Sequence, residues 1–208
     1  MDFHSALRLI HINLKRNFQP HFCLALLITL LTPVVFGISS LDERLTAQPV
    51  EMMLSLTGII LLTPVFMPEQ NENIRDVIRS KKTDYIYVCI IRVIYSVLAL
   101  ALIIGGFVFV MRMCKSDVTY RHFAGGFASA LFLGTLGFAG AGITNNIPVG
   151  YMTSLIYYIA NFTLKDKLGK LFLFSMCTGS FEEKYYIIAF SLIIIISTFI
   201  IIKKVKII

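Results

Sequence analysis

The sequence predicts an all-α, polytopic membrane protein, with six transmembrane helices behind an N-terminal amphipathic helix that lies in the interface. Three observations predict it. Apolar residues make up 57% of the 208 and charged residues 15%, against roughly 45–50% and 25% in soluble domains. Mean hydropathy is +0.79. The apolar residues gather into runs near the ~20 residues a helix needs to cross the hydrocarbon core, with the charges in the short segments between them.

Taken in order, residues 2–18 precede any span. Phe3, Leu7, Ile10, Leu14 and Phe18 follow helical stripe spacing, with His4, Arg8, His11 and Lys15 as a basic stripe beside them. That pattern suits a helix lying in the interface, apolar edge in lipid and basic edge toward headgroups. The competing reading is a signal peptide with 22–36 as its apolar region, but its leading region would be long and amphipathic and Gly37/Ser39 a poor cleavage site. Pro20 separates this helix from the first span. Hydropathy places six spans near 21–39, 50–67, 85–111, 122–143, 147–161 and 185–202. Asp42, Glu43 and Arg44 mark the first turn, and 112–122 the third connector. Asn145, Asn146 and Pro148 break the chain at the fourth. The fifth connector, 161–184, contains an apolar stretch, 171–176, that is too short to cross and suits a re-entrant or interfacial segment. With no Trp, an interfacial aromatic belt rests on Tyr85, Tyr87, Tyr151, Tyr157, Tyr158, Tyr185 and Tyr186.

Basic residues near span ends set the orientation. Arg8, Lys15 and Arg16 precede the first span, Arg44 alone follows it, and Arg75, Arg79, Lys81 and Lys82 follow the second. The N- and C-termini are therefore expected in the cytoplasm. The net charge of +7 is spread over connectors, where anionic headgroups rather than nucleic acid are the nearest partner.

The segment 68–84, PEQNENIRDVIRSKKTD, is longer and more ordered than a turn requires. Glu69 and Glu72 open it and Arg79, Lys81 and Lys82 close it, which matches a helix dipole. Ile74, Val77 and Ile78 share one face, and Glu72 with Arg75 and Asp76 with Arg79 are supporting i, i+3 pairs. It reads either as a docking helix for something outside the membrane or as a solvated charged loop. Arg92, near the start of the third span, reads as structural, reaching toward the interface. Glu51, at the outer edge of the second span, reads as a wet surface carboxylate.

Gly126, Ala130 and Gly134 recur every four residues in the fourth span, a small-residue face that lets helix backbones approach. The glycine-rich run 134–142 is not a phosphate loop, because Ile143 and Thr144 stand where Lys and Ser/Thr should follow. The four cysteines show no CxxC or metal-ligand spacing and read as small apolar packing residues, though Cys114 and Cys177 share the outer side and could pair. No HExxH or GxSxG occurs. Glu182-Glu183 lacks the downstream Arg and intramembrane His residues of a membrane-embedded protease, and the histidines sit near span ends or on the surface helix. The chain is expected to hold no ATP site, cofactor or metal. Asn161-Phe-Thr163 matches a three-residue glycosylation sequon of low specificity.

The order of parts resembles the permease subunit of ABC-2 type transporters, and the whole chain, 1–208, is similar to a single such transmembrane domain. The segment 67–96 carries the likeness in residues: Glu69 just after the second span, a short amphipathic helix at 73–79, the Ser/Lys/Thr stretch 80–83, and Arg92 early in the third span. The resemblance implies that 68–84 is the coupling helix, seated on a separate cytoplasmic ATPase through Glu69, Glu72, Ile74, Arg75, Val77, Ile78 and Arg79. It implies that the N-terminal helix touches the same subunit through Phe3, Leu7, Arg8, Ile10, Leu14 and Lys15. It further implies ATP and Mg on that partner, a dimer of permeases, and export of a peptide, drug or lipid-like substrate. The connector between the first two spans is only about ten residues, so the chain departs from family branches with a large external domain. A reading from another class is a non-transporting immunity or scaffold protein. A third is an intramembrane enzyme using Glu182 and Glu183.

Overall fold

The computed structural model describes residues 18–70 and 85–205. All regular structure among these residues is helical. Helix α1 is Gln19–Phe36, with Pro20 in its first turn, where a missing N–H costs nothing. It ends where Gly37, at φ +70°, donates its N–H to Pro33 O at 3.0 Å. Next comes one long, irregular helical rod. It runs as α2 (Glu43–Gln48), a wide π turn (Pro49–Leu54), α3 (Ser55–Leu62) and a tight 3-10 stretch (Thr63–Gln70). After the connector come α4 (Tyr85–Met113), α5 (Tyr120–Thr144), α6 (Ile147–Leu164) and α7 (Glu182–Val205). Between α6 and α7 lie only short 3-10 turns, at Lys165–Leu171 and Met176–Thr178.

Local chemistry explains the breaks. Asn145 ends α5 in the left-handed region (φ 53°, ψ 32°), and Pro148 sits in the first turn of α6. Asn tolerates that conformation and Pro is preorganised for a helix start, so the break expected at 145–148 is present. At the start of α5, His122 Nδ1 accepts the Thr119 N–H at 3.1 Å, so its Nε2 carries the proton and donates to Glu43 O at 2.9 Å. The first and third connectors are stitched together. Asp117 N–H donates to Leu41 O at 2.9 Å, and Ser116 Oγ donates to Ile38 O at 2.7 Å.

Among the described residues, five helices are long and apolar enough to cross a membrane: Gln19–Phe36, Glu43–Pro68, Ile86–Met113, Tyr120–Thr144 and Glu182–Lys204. These are compatible with a membrane protein. The fifth expected span, 147–161, corresponds to α6, 18 residues long, which is not among the five because Tyr151, Thr153, Ser154, Tyr157, Tyr158 and Asn161 dilute it. Of the expected interfacial helix at 2–18, all but Phe18 lies outside the described residues, as does the segment 71–84.

Burial divides the helices into two classes. Within an 18-residue apolar stretch of each helix, 78% of the residues are buried in the rod and 72% in α5, against 11% in α1 and 22% in α7. Rod and α5 are therefore the core, and the remaining helices wrap it. They approach through their smallest residues. A methyl group added at Gly58 would strike the Ala130 carbonyl, and one at Gly134 would lie 2.6 Å from Gly58 O. Of the small-residue face, Ala130 and Gly134 thus meet α3, while Gly126 lies against Val50 in the π turn. Leu54, Leu61, Leu62, Leu133 and Phe138 are fully buried around this contact.

Candidate functional site

The candidate site forms where the segment between α6 and α7 folds back into the bundle. Residues 172–176 are buried, although the backbone of 172–175 is in no helix. An apolar interior has no water to satisfy loose N–H and C=O groups, so irregular backbone survives there only if side chains reach it. Here they do. Asn161 Oδ1 accepts the Leu173 N–H at 2.8 Å, and the Tyr157 hydroxyl donates to Leu171 O at 2.7 Å. Glu51 accepts the N–H of Met176 at 3.1 Å and that of Cys177 at 3.0 Å, one on each carboxylate oxygen. The Leu173 carbonyl accepts from Ser129 Oγ at 3.2 Å and from Lys184 Nζ. Gly169 (φ 53°) and Gly179 (φ 87°) supply the left-handed turns that let the segment enter and leave.

At the centre, Lys184 and Glu51 form an ion pair, the lysine 5% exposed and the glutamate 0%. Lys184 also donates to Ser129 Oγ at 2.8 Å. All three ammonium protons therefore have acceptors: Glu51, Ser129 and the Leu173 carbonyl. Taking two charges out of water costs several kcal/mol per ion, and only such saturation makes the pair tolerable. The wet carboxylate expected at Glu51 is thus corrected. Glu51 sits in the π turn that Pro49 opens, and the re-entrant segment covers it. Lys184, which the sequence places among the connector charges, is the third residue of α7. The π turn leaves the Met52 carbonyl to a side chain, and the Tyr158 hydroxyl donates to it. Tyr157 and Tyr158, expected in an interfacial belt, direct their hydroxyls to backbone carbonyls of this site.

The other end of the rod carries a second buried cation. Arg92 is 4% exposed, and its Nη1 donates to Val65 O at 2.9 Å. In a 3-10 turn the carbonyl of residue 65 would accept from residue 68, which is Pro68 and has no N–H. The arginine replaces that missing donor, a structural role, but it does so buried against the rod instead of reaching toward the interface as expected.

Burial, and then the neighbouring Glu51 charge, push the Cys177 thiol far above its usual pKa. A protonated, half-buried thiol is a poor nucleophile. Cys114 and Cys177 are both free thiols, so the pairing open to them is not formed. Among the described residues no cluster of His, Cys, Asp and Glu could hold a metal ion. Glu183 accepts a hydrogen bond from Ser180 Oγ at the start of α7.

Of the expected coupling residues, only Glu69 falls within the described backbone, near the end of the 3-10 stretch. Glu72, Ile74, Arg75, Val77, Ile78 and Arg79 lie outside the described residues, as do Phe3, Leu7, Arg8, Ile10, Leu14 and Lys15. Sequence reasoning saw Glu51 and Lys184 separately and missed them as a pair. The available signal was two opposite charges at the edges of two apolar runs, which in an apolar bundle need one another.

No family model matches this chain, and neither a curated protein nor a solved structure matches it.

Proposed function

We propose that this chain is the membrane-spanning permease subunit of an ATP-binding cassette exporter of the ABC-2 type. It would be a six-span protein of the cell membrane with both termini cytoplasmic, α6 supplying the fifth span. One observation carries the reading. The most buried helix of the fold, the rod from Glu43 to Gln70, runs directly into the acidic-to-basic segment that resembles a coupling helix. At 1.5 Å per residue the rod is about 40 Å long, enough to join the two faces of a membrane. Its far end holds the re-entrant segment through Glu51. A push on 71–84 by a closing ATPase would therefore travel along the rod and shift that segment and α7 together. Coupling of this kind requires two arrangements of the bundle that the ATPase state biases. ATP and Mg would sit on the partner subunit, two permease copies would form the path between them, and the cargo would be a peptide, drug or lipid-like molecule.

The test is co-expression with a candidate ATPase. Arg75→Glu with Arg79→Glu, or deletion of 69–80, is expected to abolish co-purification and permease-dependent ATP hydrolysis. An unchanged complex hydrolysing at an unchanged rate overturns the reading and leaves the non-transporting scaffold in its place.

A further inference from the structure

Beside the ion pair lies a cavity of 630 Å³, between the first turns of α5 and α7 and the turn at 179–181. That volume falls within the range of about 300–1,000 Å³ typical of small-molecule sites. Its chemistry is divided. Ala124, Phe181 and Ile188 make an apolar wall, and Lys184 lies in the lining with its charge already held by Glu51. Tyr120 and Tyr185, both strongly exposed, flank the opening. Arg121 lines it too, its guanidinium 5.5 Å from the centre of the Phe181 ring. Among the described residues no carboxylate pairs with Arg121. Arg44 lies against the Gly179 edge of the same opening, and the one acidic lining residue is Glu182. Cations thus outnumber anions, and the cavity sits where two of the long apolar helices begin.

We infer that this cavity binds the phosphate headgroup of an anionic membrane lipid. Arg121 supplies the fork of donors that fits a phosphodiester, and its seat on Phe181 holds the guanidinium over the opening. The two tyrosines are placed for the headgroup level, where their rings sit well. The apolar wall along α7 accepts the start of an acyl chain. Glu182 on the rim disfavours a head with a second negative charge. The inference stands without the ATPase reading, since it needs only this chain and a bilayer.

The full chain is reconstituted in phosphatidylcholine vesicles containing trace spin-labelled phosphatidylglycerol or spin-labelled phosphatidylcholine. The motionally restricted fraction of each probe is then measured. The expected result is a preference for phosphatidylglycerol of about fivefold, the worth of one basic residue at an anionic surface. Arg121→Gln should reduce it to near parity, since the exposed side chain has only the Phe181 ring to lose. Ala124→Phe should do the same by filling the cavity while keeping every charge. Equal restriction of the two probes, or a preference that survives Arg121→Gln, overturns the inference. Loss with Arg121→Gln but not with Ala124→Phe overturns it as well, because diffuse surface charge would then explain the preference. If millimolar inorganic phosphate removes the preference, the site reads a free phosphate and the lipid assignment falls.

Discussion

The two ends of the rod each meet a buried cation, and they use it in opposite ways. At the Glu51 end, an acidic side chain of the rod reaches out to hold another part of the chain. The carboxylate takes two backbone N–H groups and an ammonium, and the segment 172–178 is docked by it. At the Val65 end, the rod is the party being repaired. Pro68 withholds a donor, and Arg92 gives one back. The difference is one of exchangeability. A carbonyl needs a single donor from any direction, whereas two ions buried together need every lone pair and proton satisfied at once. The first end is therefore the fragile one, and the one at which a movement of the rod has consequences elsewhere.

Glu51→Gln or Lys184→Met should break the comparison hardest. Each leaves one buried charge uncompensated, at a cost of about 3–5 kcal/mol, read as a fall in the thermal midpoint of the full chain in detergent. The double variant removes both charges and should lose clearly less than the sum. Strict additivity would show that the pair is not coupled.

Gly58→Ala acts between the two ends. Its new methyl meets the Ala130 carbonyl, and forcing the rod from α5 should cost about 1–3 kcal/mol. A variant as stable as the parent would mean that the helices are not in close contact there.

Arg92→Met should cost about 1–3 kcal/mol, the penalty of leaving a buried carbonyl without its donor. It should leave the Glu51 end undisturbed, so Cys177 should react with maleimide at the parent rate. A large change at Cys177 would show that the two ends are not separate.

The smallest effect is at the thiol itself. Cys177 should alkylate slowly at mildly alkaline pH, and Glu51→Gln should accelerate it by removing the adjacent charge. Its folded pKa lies above the unfolded value of 9.0. The neutral thiol therefore favours the folded state fully below that pH, and its contribution fades as pH rises beyond it. A Cys177 rate unchanged by Glu51→Gln would show that the carboxylate is not held beside the thiol.

Much of the fold was legible in the sequence, because helix positions follow from one-dimensional signals. Apolar run length located the long helices to within a few residues, apart from the second, which begins at Glu43 rather than near 50. There the charged and polar residues 43–49 disguised a helix start that packing supplies. Asn145 and Pro148 located a break through their own backbone preferences, and 171–176 was visible as a stretch too short to cross. The site was much less legible. Nothing local to Glu51 says that it is dry, and nothing local to Lys184 says that it belongs to a helix.

By itself, the sequence determined that the described chain is helical, how its apolar runs divide, and where between them the charges run from acidic to basic. Those properties depend on residues within a few turns of one another. Only the tertiary structure decided that the rod and α5 form the core, that 172–176 is buried, and that Glu51 meets Lys184 across a large part of the chain. Burial is a property of what a residue packs against. A carboxylate in water and one saturated by an ammonium and two amides look the same in one dimension, and only packing tells them apart.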